Sequence, residues 1–278
     1  IVSLTIVAFG TSAPELLIVL SAIDDDAAGL ALGNIVGSNT ANILLVLGIP
    51  ALIAGLDTST CDTRKSFIFM ILASVLFIAL AFWGPFEWWH GVVLLGSLAF
   101  ILFDQARQAR AHRTECACGD PSDLEESDPD MPGWKIAVYL VLGLIGLPFG
   151  ADLLVDNAVI IAKDFGVSDT AIGLSLIAVG TSLPELATTV MAALRRQADV
   201  ALGNVIGSNM FNLLAIIGIA SFVDPIPVDP NFLRFDLWVM FGASLMLLPF
   251  VFLKWKINRL WGVVLTGLYM AYLFTILG

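Results

Sequence analysis

Long apolar runs, broken by short polar stretches, make up most of this chain. The runs end near Ile23 and then cover Leu30–Ala54, Ser66–Phe82, Gly91–Phe103, Ile136–Ala162, Thr170–Leu194, Val200–Phe222, Phe235–Leu253 and Leu260–Leu277. Most of the nine reach the ~20 residues that a helix needs to cross a bilayer. None shows the strict alternation of a transmembrane barrel strand, and open sheet edges do not survive in lipid. The pattern predicts an all-α polytopic membrane protein.

Composition agrees: 58% of residues are hydrophobic, 13% are charged, and mean hydropathy is +0.92. The net charge of −11 is concentrated in places. Six acids, Asp120, Asp123, Glu125, Glu126, Asp128 and Asp130, fall in the proline-containing stretch CGDPSDLEESDPDMP. Such a stretch cannot bury a core and is expected to be a solvated linker. It divides the chain into a first half at 1–103, a linker at 104–134 and a second half at 135–278. Cys61, Cys116 and Cys118 fall in predicted loops, where reduced thiols are the simplest expectation.

The two halves are related. The stretch ALGNIVGSN at 31–39 returns as ALGNVIGSN at 201–209, and GTSAPEL at 10–16 returns as GTSLPEL at 180–186. Both pairs are offset by 170 positions, and 20 of the 45 positions from Leu4 to Gly48 are identical to those from Leu174 to Gly218. The matches fall on Gly, Thr, Ser, Pro, Glu and Asn, so shared lipid-facing composition does not account for them. The second copy is preceded by the apolar run Ile136–Ala162, whereas Ile1 already lies within an apolar run. The natural protein is therefore expected to have one more N-terminal helix, giving five per half. An odd number of helices inverts the second half relative to the first and produces inverted-topology repeats.

Basic residues agree with this topology. With the central linker in the cytoplasm, Arg64, Lys65, Arg107, Arg110, Arg113, Lys135, Arg195, Arg196, Lys254, Lys256 and Arg259 lie inside, and only Lys163 and Arg234 lie outside. The positive-inside rule selects that orientation. Trp83, Trp88 and Trp89 then mark the outer interface, and Trp134, Trp255 and Trp261 the inner one.

Each GTSxPEL motif puts a proline and a glutamate inside an apolar run. Pro14 and Pro184 remove an N–H and free the carbonyls of Gly10 and Gly180, which predicts two half-helices with a break at mid-membrane. An ionised glutamate at that depth costs about 2.5–3.5 kcal/mol on an insertion scale. No Lys or Arg lies at a matching depth to compensate Glu15 and Glu185, so a bound cation is the expected partner. Thr11 and Ser12, Thr181 and Ser182, Ser38 and Asn42, and Ser208 and Asn212 add hydroxyls and amides at helical spacing. Donor sets made only of oxygen suit hard cations such as Ca²⁺ and Na⁺. GNIVG and GNVIG also fit the small-residue pattern of close helix packing. Thr11 and Ser12 could equally return their hydroxyls to the backbone.

Together, GTSAPEL…ALGNIVGSNTAN and GTSLPEL…ALGNVIGSNMFN resemble the two α-repeats of the cation/calcium antiporter superfamily, in particular its prokaryotic sodium/calcium exchangers. The resemblance covers nearly the whole chain. It implies ten helices in two inverted halves, with ions held between the second, third, seventh and eighth. It also implies that Glu15 and Glu185 are the principal ligands, with Thr11, Ser12, Thr181, Ser182, Ser38 and Ser208 around them. Backbone carbonyls near Ala8 and Ala178 contribute, and Asn42 and Asn212 complete the centre. Some prokaryotic relatives carry aspartate where this chain has Asn212, so the centre here holds at most two negative charges.

These features predict a secondary antiporter that exchanges Ca²⁺ for Na⁺ by alternating access, with the lipid bilayer and the two ions as its partners. No enzymatic chemistry, cofactor or nucleic acid is implied. A Ca²⁺/H⁺ antiporter is the nearest alternative, since glutamates can carry protons. Against it, His90 and His112 fall in predicted loops, and the Thr-Ser pairs suit sodium. A cation channel is a third possibility and would need no counter-ion.

Overall fold

The computed structural model describes residues 10–116 and 166–277, and between them residues 134, 135, 138, 142, 146, 149 and 160. The expected carbonyl near Ala8, the acidic linker and most of the span Ile136–Ala162 lie outside the described residues.

The architecture is helical throughout the described residues, apart from two isolated β-bridges. In chain order the helices are α1 (Ala13–Asp24), α2 (Ala28–Leu44), α3 (Gly48–Ile53), α4 (Arg64–Ala81) and α5 (Trp88–Cys116). The second half follows with α6 (Asp169–Ile172), α7 (Ala178–Thr181), α8 (Leu183–Leu194), α9 (Ala198–Phe211) and α10 (Ile217–Ala220). It ends with α11 (Pro230–Arg234), α12 (Asp236–Leu245), α13 (Leu248–Phe252) and α14 (Arg259–Leu277). Single π-helical turns join α6 to α7 at Gly173–Ile177 and α9 to α10 at Asn212–Ile216. Among the described residues six helical stretches are long and apolar enough to cross a bilayer, and a seventh, Thr170–Leu194, is bent by 44° between Thr181 and Leu183.

Burial sorts these spans into layers. Over their most apolar windows, Ala28–Ile53 and Ala198–Ala220 are 83% and 89% buried, whereas Trp88–Arg107 and Arg259–Leu277 are only 28% and 22% buried. The former pair is the centre of the bundle. The latter pair presents Phe100, Phe103, Leu260 and Phe274 outwards as a lipid-facing shell.

Glycine makes the central packing close. A Cβ placed on Gly37 would lie 2.7 Å from the Leu174 carbonyl oxygen and 2.8 Å from its Cα. One on Gly173 would meet the Leu30 carbonyl at 2.6 Å, and Gly33 faces the Thr170 carbonyl in the same way. The GNIVG glycines therefore let α2 rest against the backbone of 170–178, as small residues do between membrane helices.

The two halves are related as inverted repeats. Asp26 and Arg196, 170 positions apart, both take left-handed conformations, with φ 57° and 59°, where α1 and α8 end. The closing bonds repeat as well: Ala27 N–H to Ala22 C=O at 2.7 Å, and Gln197 N–H to Ala192 C=O at 2.8 Å. The isolated bridges are exchanged by the same operation to within one position, Leu56 pairing with Ile257 and Phe86 with Ile226. One bridge ties together two loops expected on the inner face, and the other two loops expected on the outer face. Asp26 and Arg196 thus occupy equivalent turns on opposite faces.

Two sequence expectations need correction. His90 and His112 are not in loops, and neither is Cys116, because α5 starts at Trp88 and continues past Phe103 to Cys116. At its start His90 is buried, accepts the Glu87 N–H on Nδ1 at 3.0 Å and stacks near Phe86 and Trp89. Beyond Phe103 the sequence DQARQARAHR is rich in good helix formers, so the helix continues after its apolar run ends.

Gly37→Ala is expected to destabilise the protein by about 1–3 kcal/mol, the usual cost of overpacking. Gly242→Ala, where an added Cβ meets nothing within 4 Å, is expected to cost nothing. Thermal unfolding of the two variants in detergent checks the contrast.

Candidate functional site

Each proline works in two ways. It cannot continue the preceding helix, yet it suits the first turn of the next, where its missing N–H would be unbonded anyway. Pro14 and Pro184 sit in the first turns of α1 and α8. The residues before these turns, Ser12 and Ser182, have φ,ψ of −87°, 7° and −82°, 2°. Both lie in the sparsely populated bridge region often used at functional sites. The break therefore falls two residues before each proline, at a serine.

This geometry places Glu15 and Glu185 in the first turn of a half-helix, at its positive end. Both side chains are 0% exposed. They are also electrostatic neighbours, so two like charges share one interior.

Hydroxyls converge on Glu185 from both repeats. Ser12 Oγ and Ser208 Oγ each donate to Glu185 Oε1 at 3.3 Å, and Thr11 also interacts with this carboxyl. The equivalent groups around Glu15 are arranged differently. Ser38 Oγ lies 3.2 Å from Thr181 Oγ1, and both hydroxyls donate to Asn34 Oδ1, at 3.4 and 3.1 Å. Ser182 Oγ is buried without a partner, and neither carboxyl oxygen of Glu15 has a well-formed hydrogen bond, although Thr181 interacts with this carboxyl as Thr11 does with Glu185. The Ala178 carbonyl accepts the Ser182 N–H at 3.2 Å and lies 3.5 Å from the Thr181 hydroxyl oxygen.

The amides of the central helices complete the setting. Asn42 donates to Asn209 Oδ1 at 3.1 Å, leaving its own Oδ1 buried and unpartnered. Asn212 begins the π turn of 212–216, against which α1 packs, and neither atom of its buried amide has a partner. In all, six buried oxygens on these side chains lack a partner: both of Glu15, Glu185 Oε2, Ser182 Oγ, Asn42 Oδ1 and Asn212 Oδ1. Among the described residues no three His, Cys, Asp or Glu side chains cluster. Two carboxylates surrounded by hydroxyls and amides are suited to a hard cation.

Four asparagines escaped the sequence argument. Asn34 and Asn204 buttress the site from behind, the latter donating to Thr188 Oγ1 at 2.9 Å and Thr189 Oγ1 at 3.3 Å. Asn39 and Asn209 bond each other across the repeats. Their repetition in GNxxGSN was the available signal.

Comparison with known proteins agrees with this geometry. The model of the sodium/calcium exchanger protein family matches residues 1–105 and 135–278. Inner membrane protein YrbG of Escherichia coli is 33% identical over 280 residues, covering 98% of this chain and 85% of its own. Sodium/calcium exchanger MaX1 of Methanosarcina acetivorans is 33% identical over 305 residues, covering 98% of this chain and 87% of its own. The solved structure of the sodium-calcium exchanger NCX_Mj soaked with Na⁺ and Ca²⁺ superposes with a TM-score of 0.73 at 33% identity, over 96% of this chain and 83% of that one. On these grounds the chain is a polytopic membrane protein of two inverted repeats that belongs to the sodium/calcium exchanger protein family.

Proposed function

We propose that this protein is a secondary antiporter that exchanges Ca²⁺ for Na⁺ by alternating access, with the ions held at mid-membrane between Glu15 and Glu185. The observation that carries this reading is the pair of fully buried, neighbouring carboxyls, which bear three oxygens without a well-formed hydrogen bond. With Ser182, Asn42 and Asn212 the unpartnered oxygens number six, within the six to eight that Ca²⁺ takes. Thr11, Ser12, Ser38, Thr181 and Ser208 line the flanking positions. A hydroxyl both donates and accepts, so Ser12 and Ser208 can turn from donating to Glu185 to offering a lone pair to a cation. The carbonyls near Ala8 and Ala178 belong to the same expected shell.

Coupling follows from charge. Two carboxylates neutralise one Ca²⁺. Once it leaves, each bare charge costs about 2.5–3.5 kcal/mol at that depth, and the two repel each other besides. Rearrangement with the centre uncompensated is therefore disfavoured, and Na⁺ must load before the site can face the other side. MaX1 and NCX_Mj, both named as sodium–calcium exchangers, are relatives of this chain, which favours Na⁺ over H⁺ as the counter-ion. In the membrane we place the linker and the Leu56–Ile257 bridge on the cytoplasmic side.

In proteoliposomes loaded with Na⁺, wild-type protein is expected to take up ⁴⁵Ca²⁺ against a Na⁺-free medium, and Glu15→Gln or Glu185→Gln to reduce uptake to background. Uptake driven equally well by a pH gradient alone would refute sodium coupling.

Calcium is also expected to stabilise the purified protein, by about 2.7 kcal/mol at a hundredfold excess over Kd. Glu15→Gln should lose this shift without becoming less stable in the absence of ions, because it removes an uncompensated buried charge. Thermal unfolding with and without Ca²⁺ measures both effects.

For orientation, a membrane-impermeant maleimide applied to intact cells should label Asp224→Cys and spare Asp62→Cys in a chain whose native cysteines are replaced by serine. The reverse pattern would invert the assignment.

A further inference from the structure

Asn39 and Asn209 are 170 positions apart and 1% exposed. Asn39 Nδ2 donates to the Asn209 carbonyl at 3.3 Å, and Asn209 Nδ2 to the Asn39 carbonyl at 3.2 Å. Such a reciprocal pair between equivalent residues lies on the axis relating the two repeats, where α2 crosses α9. To this extent the two side chains do the same work, each bonding one backbone carbonyl of the other central helix.

The side-chain oxygens differ. Asn209 Oδ1 accepts the Asn42 amide at 3.1 Å. The equivalent bond, from Asn212 to Asn39, is not made: Asn39 Oδ1 and both amide atoms of Asn212 are buried without partners. Asn39 Nδ2 instead has Met240 Sδ as a second neighbour, at 3.8 Å. An amide has one donor end and one acceptor end, so binding the –NH₂ of Asn42 fixes the direction of its carbonyl oxygen. Because that oxygen has no partner of its own, it is available to a cation.

We infer that Asn209 is a positioning residue, which orients the Asn42 carbonyl for cation binding while also clamping α2 to α9. Asn39 shares the clamp but has no part in orienting Asn42. The inference rests on the proposed role of Asn42 as a ligand. It assigns a task to the last residue of GSN in the second repeat that differs from the task of its identical counterpart in the first.

The test is a double-mutant cycle on reconstituted full-length protein, read as the half-saturating Ca²⁺ concentration for exchange and, separately, as thermal stability in detergent. Asn39→Ala and Asn209→Ala each remove one clamp bond and are expected to lower stability to a similar extent. Asn209→Ala should in addition raise the half-saturating Ca²⁺ concentration roughly three- to tenfold, the worth of one lost hydrogen bond. That increase should disappear in an Asn42→Ala background, whereas any effect of Asn39→Ala should be the same factor in both backgrounds. If Asn209→Ala does not fold, Asn209→Ser withdraws the same amide oxygen with a smaller loss of volume and serves in its place. An Asn209 effect of equal factor with and without Asn42 would overturn the inference while leaving the site intact. Asn42→Ala at wild-type affinity would instead overturn the role of Asn42 as a ligand, and the inference with it.

Discussion

Two carboxyl groups with no access to water govern this structure. Glu15 and Glu185 are each completely buried and lie close enough to repel each other. Such a pair is costly in any protein interior, and more so in one surrounded by lipid. The surrounding fold can be read as a response. The broken helices bring two positive half-helix ends to the acids, hydroxyls from both repeats reach Glu185, and asparagines occupy the central helices where leucine would pack more cheaply. In the function we propose, a bound cation answers the charge that remains.

Inverted duplication makes the site possible. Each repeat supplies one acid, one Thr-Ser pair and one Ser/Asn pair. The bonds that matter run between halves: Ser12 to Glu185, Thr181 to Asn34, and Asn42 to Asn209. The symmetry is incomplete. Each glutamate interacts with the threonine of the other repeat, but only Glu185 also accepts serine hydroxyls, while Ser38 turns towards Asn34. Two chemically matched half-sites are thus held in different arrangements.

The fold and the site were legible to different depths. Apolar run lengths located the spans, and repetition of polar residues at a fixed offset disclosed the duplication, because lipid-facing positions vary freely while Pro14, Glu15 and their counterparts do not. The chemistry of proline predicted a broken helix, and Thr170–Leu194 is bent between Thr181 and Leu183. Less was visible where tertiary contact decides the outcome. The Asn39–Asn209 pair acquires meaning only once two helices cross, and the asymmetry of the hydroxyls cannot be read from two nearly identical motifs. The π turn beginning at Asn212 has no composition signal. The helical continuation of α5 through Arg107 and beyond was hidden by a polar composition that reads as loop when apolar periodicity is the guide.

The central claim is that one cation bridges the two acids. Anomalous diffraction from crystals soaked in Ca²⁺ or Sr²⁺ tests it most directly. A single strong peak about 2.3–2.6 Å from carboxylate oxygens of both Glu15 and Glu185 is the expected result. A saturated, transport-competent protein with density elsewhere, or with the two carboxyls turned apart, would contradict it.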